Sequence, residues 1–257
     1  MTSQLQQFKQ LHYNESPLLL GNVWNVQSAF VFQNLGFKAI GTSSSAIAKS
    51  LGYEDGENIS FENYLFIIER ITNSVDLPLS VDLEAGYGKT EEAIVSNIAR
   101  LNELGVAGIN IEDSVVVNNQ RSILKANDFA EKLYNITTEL KSRNIELFIN
   151  VRCDAFLLNL PDTLNEAMKR IGLYETTGID GIFLPCITNE TDIRKVTENT
   201  KLPLNVMCMP ELPGFDRLQD LGVKRISMGN FVNGHIYKRM EAGIKEIVSS
   251  KSFSSLF

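Results

Sequence analysis

Three carboxylates stand where apolar runs of the chain end. In "LPLSVDLEAGYGKT" (77–90) the run delivers Asp82 and Glu84 and then breaks into Gly86-Tyr87-Gly88, and in "AGINIED" (107–113) the next run delivers Glu112. Side chains two apart on a strand point the same way, so Asp82 and Glu84 are predicted to share a face, with Glu112 at matching height on the neighbouring strand. Carboxylates gathered this closely repel and take up protons unless a cation holds them. Hard oxygen ligands suit Mg²⁺, with Mn²⁺ as the alternative, rather than zinc. A single acid at a strand end more often caps a loop or pairs with an arginine, but three at one end of adjacent strands favour a metal. The two histidines, His12 and His235, lie away from these strand ends, and no His or Cys cluster offers a softer site.

Other run ends add groups suited to an organic anion. Arg152 in "LFINVRCD" (147–154) is the cationic residue among the strand-end segments. A guanidinium there offers a bidentate grip on a carboxylate or phosphonate; the alternative is a structural salt bridge to Asp154, Glu112 or another strand-end acid. Thr42, Ser43 and Ser44 end the run "KAIGTSS" (38–44) and open the helix-like "SAIAKSLG", where hydroxyls and free amides favour an anion. Their plainer role is an ordinary N-cap, and both can hold together. Asn205 in "LPLNVMCM" (202–209), with Pro185 and Met207, marks a fairly apolar wall. These parts fit a small oxo-acid, with a metal for its 2-oxo carboxylate, Arg152 and amides for its charge, and a positive centre to stabilise an enolate. The Gly86-Tyr87-Gly88 turn is expected to fold over the bound ion.

Something must hold these ends in register. Short β-branched and apolar runs recur at 18–24, 38–44, 77–84, 107–113, 147–154, 181–187, 202–209 and 225–230, with helix-like segments between them. One such segment, "EEAIVSNIARLNELG" (91–105), places Ile94, Ile98, Leu101 and Leu104 on one face and Gly105 as a cap. Eight strand-plus-helix units in 257 residues is the arithmetic of a (β/α)8 TIM barrel, whose active site lies at the C-terminal strand ends. Residues 3–13 are predicted to form an extra N-terminal helix over the barrel bottom, and "FVNGHIYKRMEAGIKEIVSS" a final helix. No linker, low-complexity stretch or repeat marks a second domain, so residues 1–257 are expected to form a single barrel domain.

Composition narrows the function classes. Hydrophobic residues at 44% and charged residues at 21% are ordinary globular values, which excludes disorder. The net charge of −7 repels phosphate backbones and anionic lipid surfaces, so neither nucleic acid nor membrane is an expected partner. Cys153, Cys186 and Cys208 show no CxxC spacing and read as reduced thiols. With no apolar leader and no run of about eighteen apolar residues, the expected location is the cytoplasm.

The motifs "TSSSAIAKSLGYEDG", "VDLEAGYG", "GVAGINIED", "NVRCDAF" and "GVKRISMGN" resemble, in order and spacing, the isocitrate lyase/phosphoenolpyruvate mutase superfamily, especially its short bacterial members. The resemblance implies a Mg²⁺-binding barrel that cleaves or forms C–C or C–P bonds beside a 2-oxo acid. It implies that Asp82 is the metal-proximal aspartate, that Glu84 stands where many members have a second aspartate, and that Glu112 orders metal-bound water. It further implies that Thr42, Ser43 and Ser44 grip the substrate carboxylate, that Asp55 is a catalytic acid near the metal, and that Arg152 binds substrate. A homo-oligomer, tetramer or dimer, with residues 231–250 swapped between partners, is also implied. The family's lid carries a Lys-Cys-Gly-His or a Pro-Lys-Thr-Asn type motif; here "SVVVNNQRSILKAND" carries neither, leaving Tyr87 and Arg121 as candidate proton donors. The leading expectation is a Mg²⁺-dependent lyase or decarboxylase of a small 2-oxo or 2-hydroxy di- or tricarboxylic acid, for which loss of CO₂ needs no base. The alternatives are phosphonate chemistry and a non-catalytic oxo-acid-binding barrel.

Overall fold

Each of the eight predicted runs forms a strand, and parallel pairing closes them into a barrel. In the computed structural model, which describes residues 3–257, the strands are β1 (Leu18–Val23), β2 (Ile40–Thr42), β3 (Leu79–Asp82), β4 (Gly108–Glu112), β5 (Ser114–Val117), β6 (Gln120–Ile123), β7 (Phe148–Arg152), β8 (Gly181–Leu184), β9 (Leu204–Met207) and β10 (Arg225–Ser227). The barrel order is β1-β2-β3-β4-β7-β8-β9-β10, closing on β1, so the predicted (β/α)8 fold is the observed one. The additions are β5 and β6, an antiparallel hairpin between β4 and β7 that stands apart from the barrel. Helix Glu91–Glu103 buries Ile94, Ile98 and Leu101 as its periodicity predicts, and Thr90 caps it by accepting from the Ala93 amide. Strands that are nearly all buried on both faces are what parallel pairing under a ring of helices requires.

The expected N-terminal helix forms over Gln4–Leu11 and closes the barrel bottom. Its Phe8 is fully buried among Leu18, Leu20, Ala39, Ala107 and Phe148. His12, at the helix end, stacks on Phe148 with centroids 4.1 Å apart, and its Nδ1 bonds the Phe8 carbonyl at 2.8 Å. Above this floor lies a wholly internal polar layer. Asn150 Nδ2 donates to Asn110 and Asn205, and Arg225 Nη2 reaches Ser80 Oγ at 3.4 Å and Asn110 Oδ1 at 3.3 Å. Arg225 is buried with no carboxylate partner among the described residues, and burial lowers its pKa to about 9.

At the other terminus, helix Phe231–Ser250 matches its predicted bounds but buries Asn233 alone. Ile236, Tyr237, Met240, Ile244 and Val248 are all exposed, a continuous apolar stripe at helical spacing. Among the described residues, no helix is long and apolar enough to cross a membrane.

The floor generates a pH-dependent stability. Burial, and then the charge of Arg225, holds the His12 pKa down to about 3 from 6.5. The unfolded chain therefore binds the extra proton first, so this contribution is complete above pH 6.5 and is lost as pH falls toward 3. His12→Phe, which preserves the aromatic stack, should lose less stability than the wild type between pH 6.5 and about pH 4, by up to about 3 kcal/mol in denaturant unfolding.

Candidate active site

The C-terminal strand ends bring five carboxylates and two arginines into one mouth. Asp82 closes β3, and three hydroxyl and amide groups fix its backbone. Its amide donates to Thr42 Oγ1 (2.8 Å), Thr42 and Tyr64 share a hydroxyl bond (2.9 Å), and Tyr64 donates to the Asp82 carbonyl (2.7 Å). The Asp82 carboxylate then takes the Ser44 hydroxyl at 2.8 Å. Thr42 thus spends its hydroxyl on Asp82 rather than on an open face. Ser43 caps helix Ser44–Ser50 by accepting from the Ala46 amide, the plainer of its two predicted roles.

Glu84 reaches the same mouth by a different route from the predicted one. Strand geometry stops at Asp82, and Glu84 adopts left-handed backbone with φ 51°, so two-residue alternation does not orient it. Such a conformation costs a non-glycine residue about 1–3 kcal/mol and persists only where the surroundings over-determine it. They do so here: Glu84 accepts from the Glu57 amide (2.8 Å) and the Tyr87 hydroxyl (2.9 Å), while its own carbonyl takes the Glu112 amide (2.9 Å). Burial first, then Asp55, Asp82 and Glu112, push its pKa up to about 8. The Gly86-Tyr87-Gly88 turn is also tighter than predicted. A Cβ on Gly86, where φ is 114°, would lie 2.7 Å from Ile94, so the glycine lets the turn lie against helix Glu91–Glu103 rather than swing over a ligand. Tyr87 stacks on Tyr64 at 5.2 Å, and burial and Glu84 raise its pKa far above the ordinary range, which makes it a hydrogen-bond donor rather than an acid.

Glu112 and Asp154 form the other half of the cluster, laced by arginines. Arg152 Nε donates to Asp154 at 2.6 Å and its Nη1 lies 3.0 Å from Glu112, so the predicted salt bridge is present. Burial opposes the Arg152 charge, but Glu112 and Asp154 hold its pKa above the usual range. Arg121, from the hairpin, contacts Glu112 and lies 3.2 Å from Asp154 and 3.8 Å from Asp55. Beneath them Asp113 accepts from the Asp154 amide, Arg170 and Tyr174, and so fixes the backbone that carries Asp154. Asn205 does not join the mouth: it is fully buried in the internal polar layer, with its amide given to Ser227, Arg225 and Val206.

Residues 8–248 match the family model for phosphoenolpyruvate phosphomutase. The chain belongs to the phosphoenolpyruvate phosphomutase family. It is 33% identical over 223 residues to the uncharacterized protein Rv1998c of Mycobacterium tuberculosis H37Rv, covering 87% of this chain and 81% of that protein. Oxaloacetate decarboxylase of Ectopseudomonas mendocina is 27% identical over 234 residues, 89% of this chain and 77% of the relative. A solved structure from Burkholderia cenocepacia J2315, assigned as a phosphonomutase, shares 32% identity with a TM-score of 0.88, covering 95% of this chain and 100% of that one. The superfamily resemblance carried by the motifs is therefore borne out.

For a phosphoenolpyruvate phosphomutase family member, a divalent metal is the natural question to put to these carboxylates. Among the described residues no three carboxylate, imidazole or thiol groups close on a point tightly enough to hold an ion by themselves. The predicted convergence of Asp82, Glu84 and Glu112 on one ion is therefore not observed, and a cation suited to these residues would be one such as Mg²⁺, which takes one or two carboxylates directly and keeps several waters. Asp55 Oδ1 is buried without a hydrogen-bond partner and is placed to accept from such a water, whereas Glu112 Oε2 makes no hydrogen bond but has Arg152 Nη1 3.0 Å away. Sequence reasoning missed Tyr64, Glu57, Ser114 and the part played by Asp154. Only Asp154 left a signal, two residues past Arg152 and so on the same side of the chain. Tyr64→Phe should leave the buried Thr42 hydroxyl and Asp82 carbonyl each short of a partner, a loss of about 1–3 kcal/mol in chemical unfolding.

Proposed function

We propose that the chain is a Mg²⁺-dependent carbon–carbon lyase or decarboxylase of a small 2-oxo or 2-hydroxy di- or tricarboxylic acid. The observation that carries this reading is the meeting, at one strand-end mouth, of Asp82 and Glu84, whose side chains accept from neutral donors, with Arg152, which is clamped on Asp154 beside Glu112. Asp82, Glu84 and Glu112, with Asp55 beside them, are the residues that would hold the cation, directly or through water. When bound, the cation supplies a positive centre for charge developing on the 2-oxo oxygen. Arg152 gives two of its five N–H groups to Asp154 and sets Nη1 3.0 Å from Glu112, and its other N–H groups would serve a substrate carboxylate. Ser44 orients Asp82, and Thr42 and Tyr64 hold its backbone, so they act on substrate through it.

Among the described residues the hairpin has no imidazole or thiol to serve as a base, and the two histidines sit at the barrel floor and on helix Phe231–Ser250. Decarboxylation asks least of such a site, because CO₂ departs without proton abstraction and solvent can supply the returning proton. The 27% identity to an oxaloacetate decarboxylase supports this choice. Phosphonate chemistry is the second reading, favoured by the 32% identity to the Burkholderia protein assigned as a phosphonomutase. The deciding experiment follows pyruvate and free phosphate together, with Mg²⁺, on oxaloacetate, 2-methylisocitrate, dimethylmalate and phosphonopyruvate. Pyruvate from a carbon substrate, lost on chelation, is the expected result; stoichiometric phosphate would move the chain to the phosphonate reading, and silence on all four would favour a binding protein. Asp82→Ala should abolish metal-dependent turnover with the circular dichroism unchanged, and full activity in that variant would sink the assignment.

The same reading includes a homo-oligomer, dimer or tetramer, built through helix Phe231–Ser250. Five exposed apolar side chains on one helix exceed what a solvated face ordinarily carries. Ile244→Asp should lower the mass found by light scattering, and an unchanged mass would remove this helix from the interface.

A further inference from the structure

A cation is already present in the carboxylate cluster, carried there by the hairpin. Arg121 on β6 pairs across from Val116 on β5, and such partners project from the same face. Both side chains turn to the loop 51–60. A Cβ on Gly56 would lie 2.5 Å from Val116, so only a glycine admits that contact, and Arg121 Nη2 is 3.8 Å from Asp55. Arg121 Nη1 donates to Ser114 Oγ at 2.7 Å and Asp154 Oδ2 at 3.2 Å, and it contacts Glu112 Oε1. The tip, Asn118-Asn119, is left-handed at both residues (φ 52° and 59°), as a primed two-residue turn requires, and the adjoining Val117 is 60% exposed. Above its base, then, the hairpin meets the loop 51–60 through one valine against a glycine and reaches the acids through one arginine.

We propose that Arg121 is a positioning residue that competes with the divalent cation for Glu112, so that cation binding and hairpin docking oppose each other. This rests on the metal reading of the site given above. A guanidinium on Glu112 occupies one of the oxygens that the ion or its waters would use, and it repels the ion at short range. A cation drawing on Glu112 in turn weakens the contact that anchors Arg121 and leaves Val116 as the main tie. The cluster's two arginines differ in this respect: Arg152 is fixed to a barrel strand, whereas Arg121 rides on a hairpin that stands apart from the barrel.

The test titrates Mn²⁺ into the full chain by calorimetry, comparing wild type with Arg121→Met and Arg121→Lys, and follows hydrogen exchange of the wild-type amides 114–123 with and without Mn²⁺. Arg121→Met should bind Mn²⁺ at least roughly tenfold more tightly, a floor well below what one like charge about 4 Å away gives at an effective dielectric near 20, with Arg121→Lys between. Saturating Mn²⁺ should speed exchange in the wild-type hairpin, a readout that needs no variant to fold. Equal or weaker Mn²⁺ binding by folded Arg121→Met, or hairpin exchange indifferent to Mn²⁺, overturns the competition and leaves the metal site standing. Binding by neither chain overturns the metal reading and this inference with it.

Discussion

Carboxylates cannot be packed at a barrel mouth without an answer to their charge, and most of the polar structure of this chain supplies that answer. Two unit charges about 4 Å apart repel by roughly 4 kcal/mol at an effective dielectric near 20, and here Asp55, Asp82, Glu84, Glu112 and Asp154 share one site. The answer differs across the cluster. Glu112 and Asp154 are laced by Arg121 and Arg152, so that half is electrically closed. Asp82 and Glu84 receive only neutral donors, Ser44 for one and Tyr87 with the Glu57 amide for the other. Neutral hydrogen bonds orient a carboxylate without cancelling its charge, so this half answers the repulsion by proton uptake, with Glu84 pushed up to about 8.

The scaffold behind the mouth is built to resist the resulting repulsion. The Thr42–Tyr64–Asp82 ring ties β2 and helix Phe61–Thr72 to the end of β3, so Asp82 cannot retreat without breaking bonds in three elements. Asp113 does the same for Asp154, drawing on Arg170 and Tyr174 from helix Thr163–Tyr174. Because these supports are buried, each unmade bond would carry a full desolvation penalty.

Much of this was legible in the chain, and what was not has a physical reason. The eight strands and their closure follow from the spacing of apolar runs, because a parallel strand buried on both faces leaves a continuous hydrophobic signal. Asp82, Glu112 and Arg152 follow because they close such runs. Glu84 was found by the wrong argument, since its left-handed backbone leaves no mark in a two-residue period. Tyr64 lies eighteen residues before Asp82 on a helix, at a separation that only the folded barrel makes meaningful. Asn205 was misread because interior polar layers and mouth residues sit on the same strands, one pleat apart, and a sequence does not record depth. The hairpin was anticipated only as a lid segment without the family's motif, although Asn118-Asn119, between Val115-Val116-Val117 and Gln120-Arg121-Ser122, is a turn signal.

Depth also bears on charge. Arg225 lies below the mouth, within the field of Asp82, which partly offsets the burial that lowers its pKa. The mouth itself sets two guanidinium groups, Arg121 and Arg152, against five carboxylates, and both are hydrogen-bonded or ion-paired on the Glu112 and Asp154 side, while the partners of Asp82 and Glu84 are hydroxyls and amides. Positive charge brought into the mouth is therefore felt most on that side, because neutral donors orient Asp82 and Glu84 without cancelling their charge.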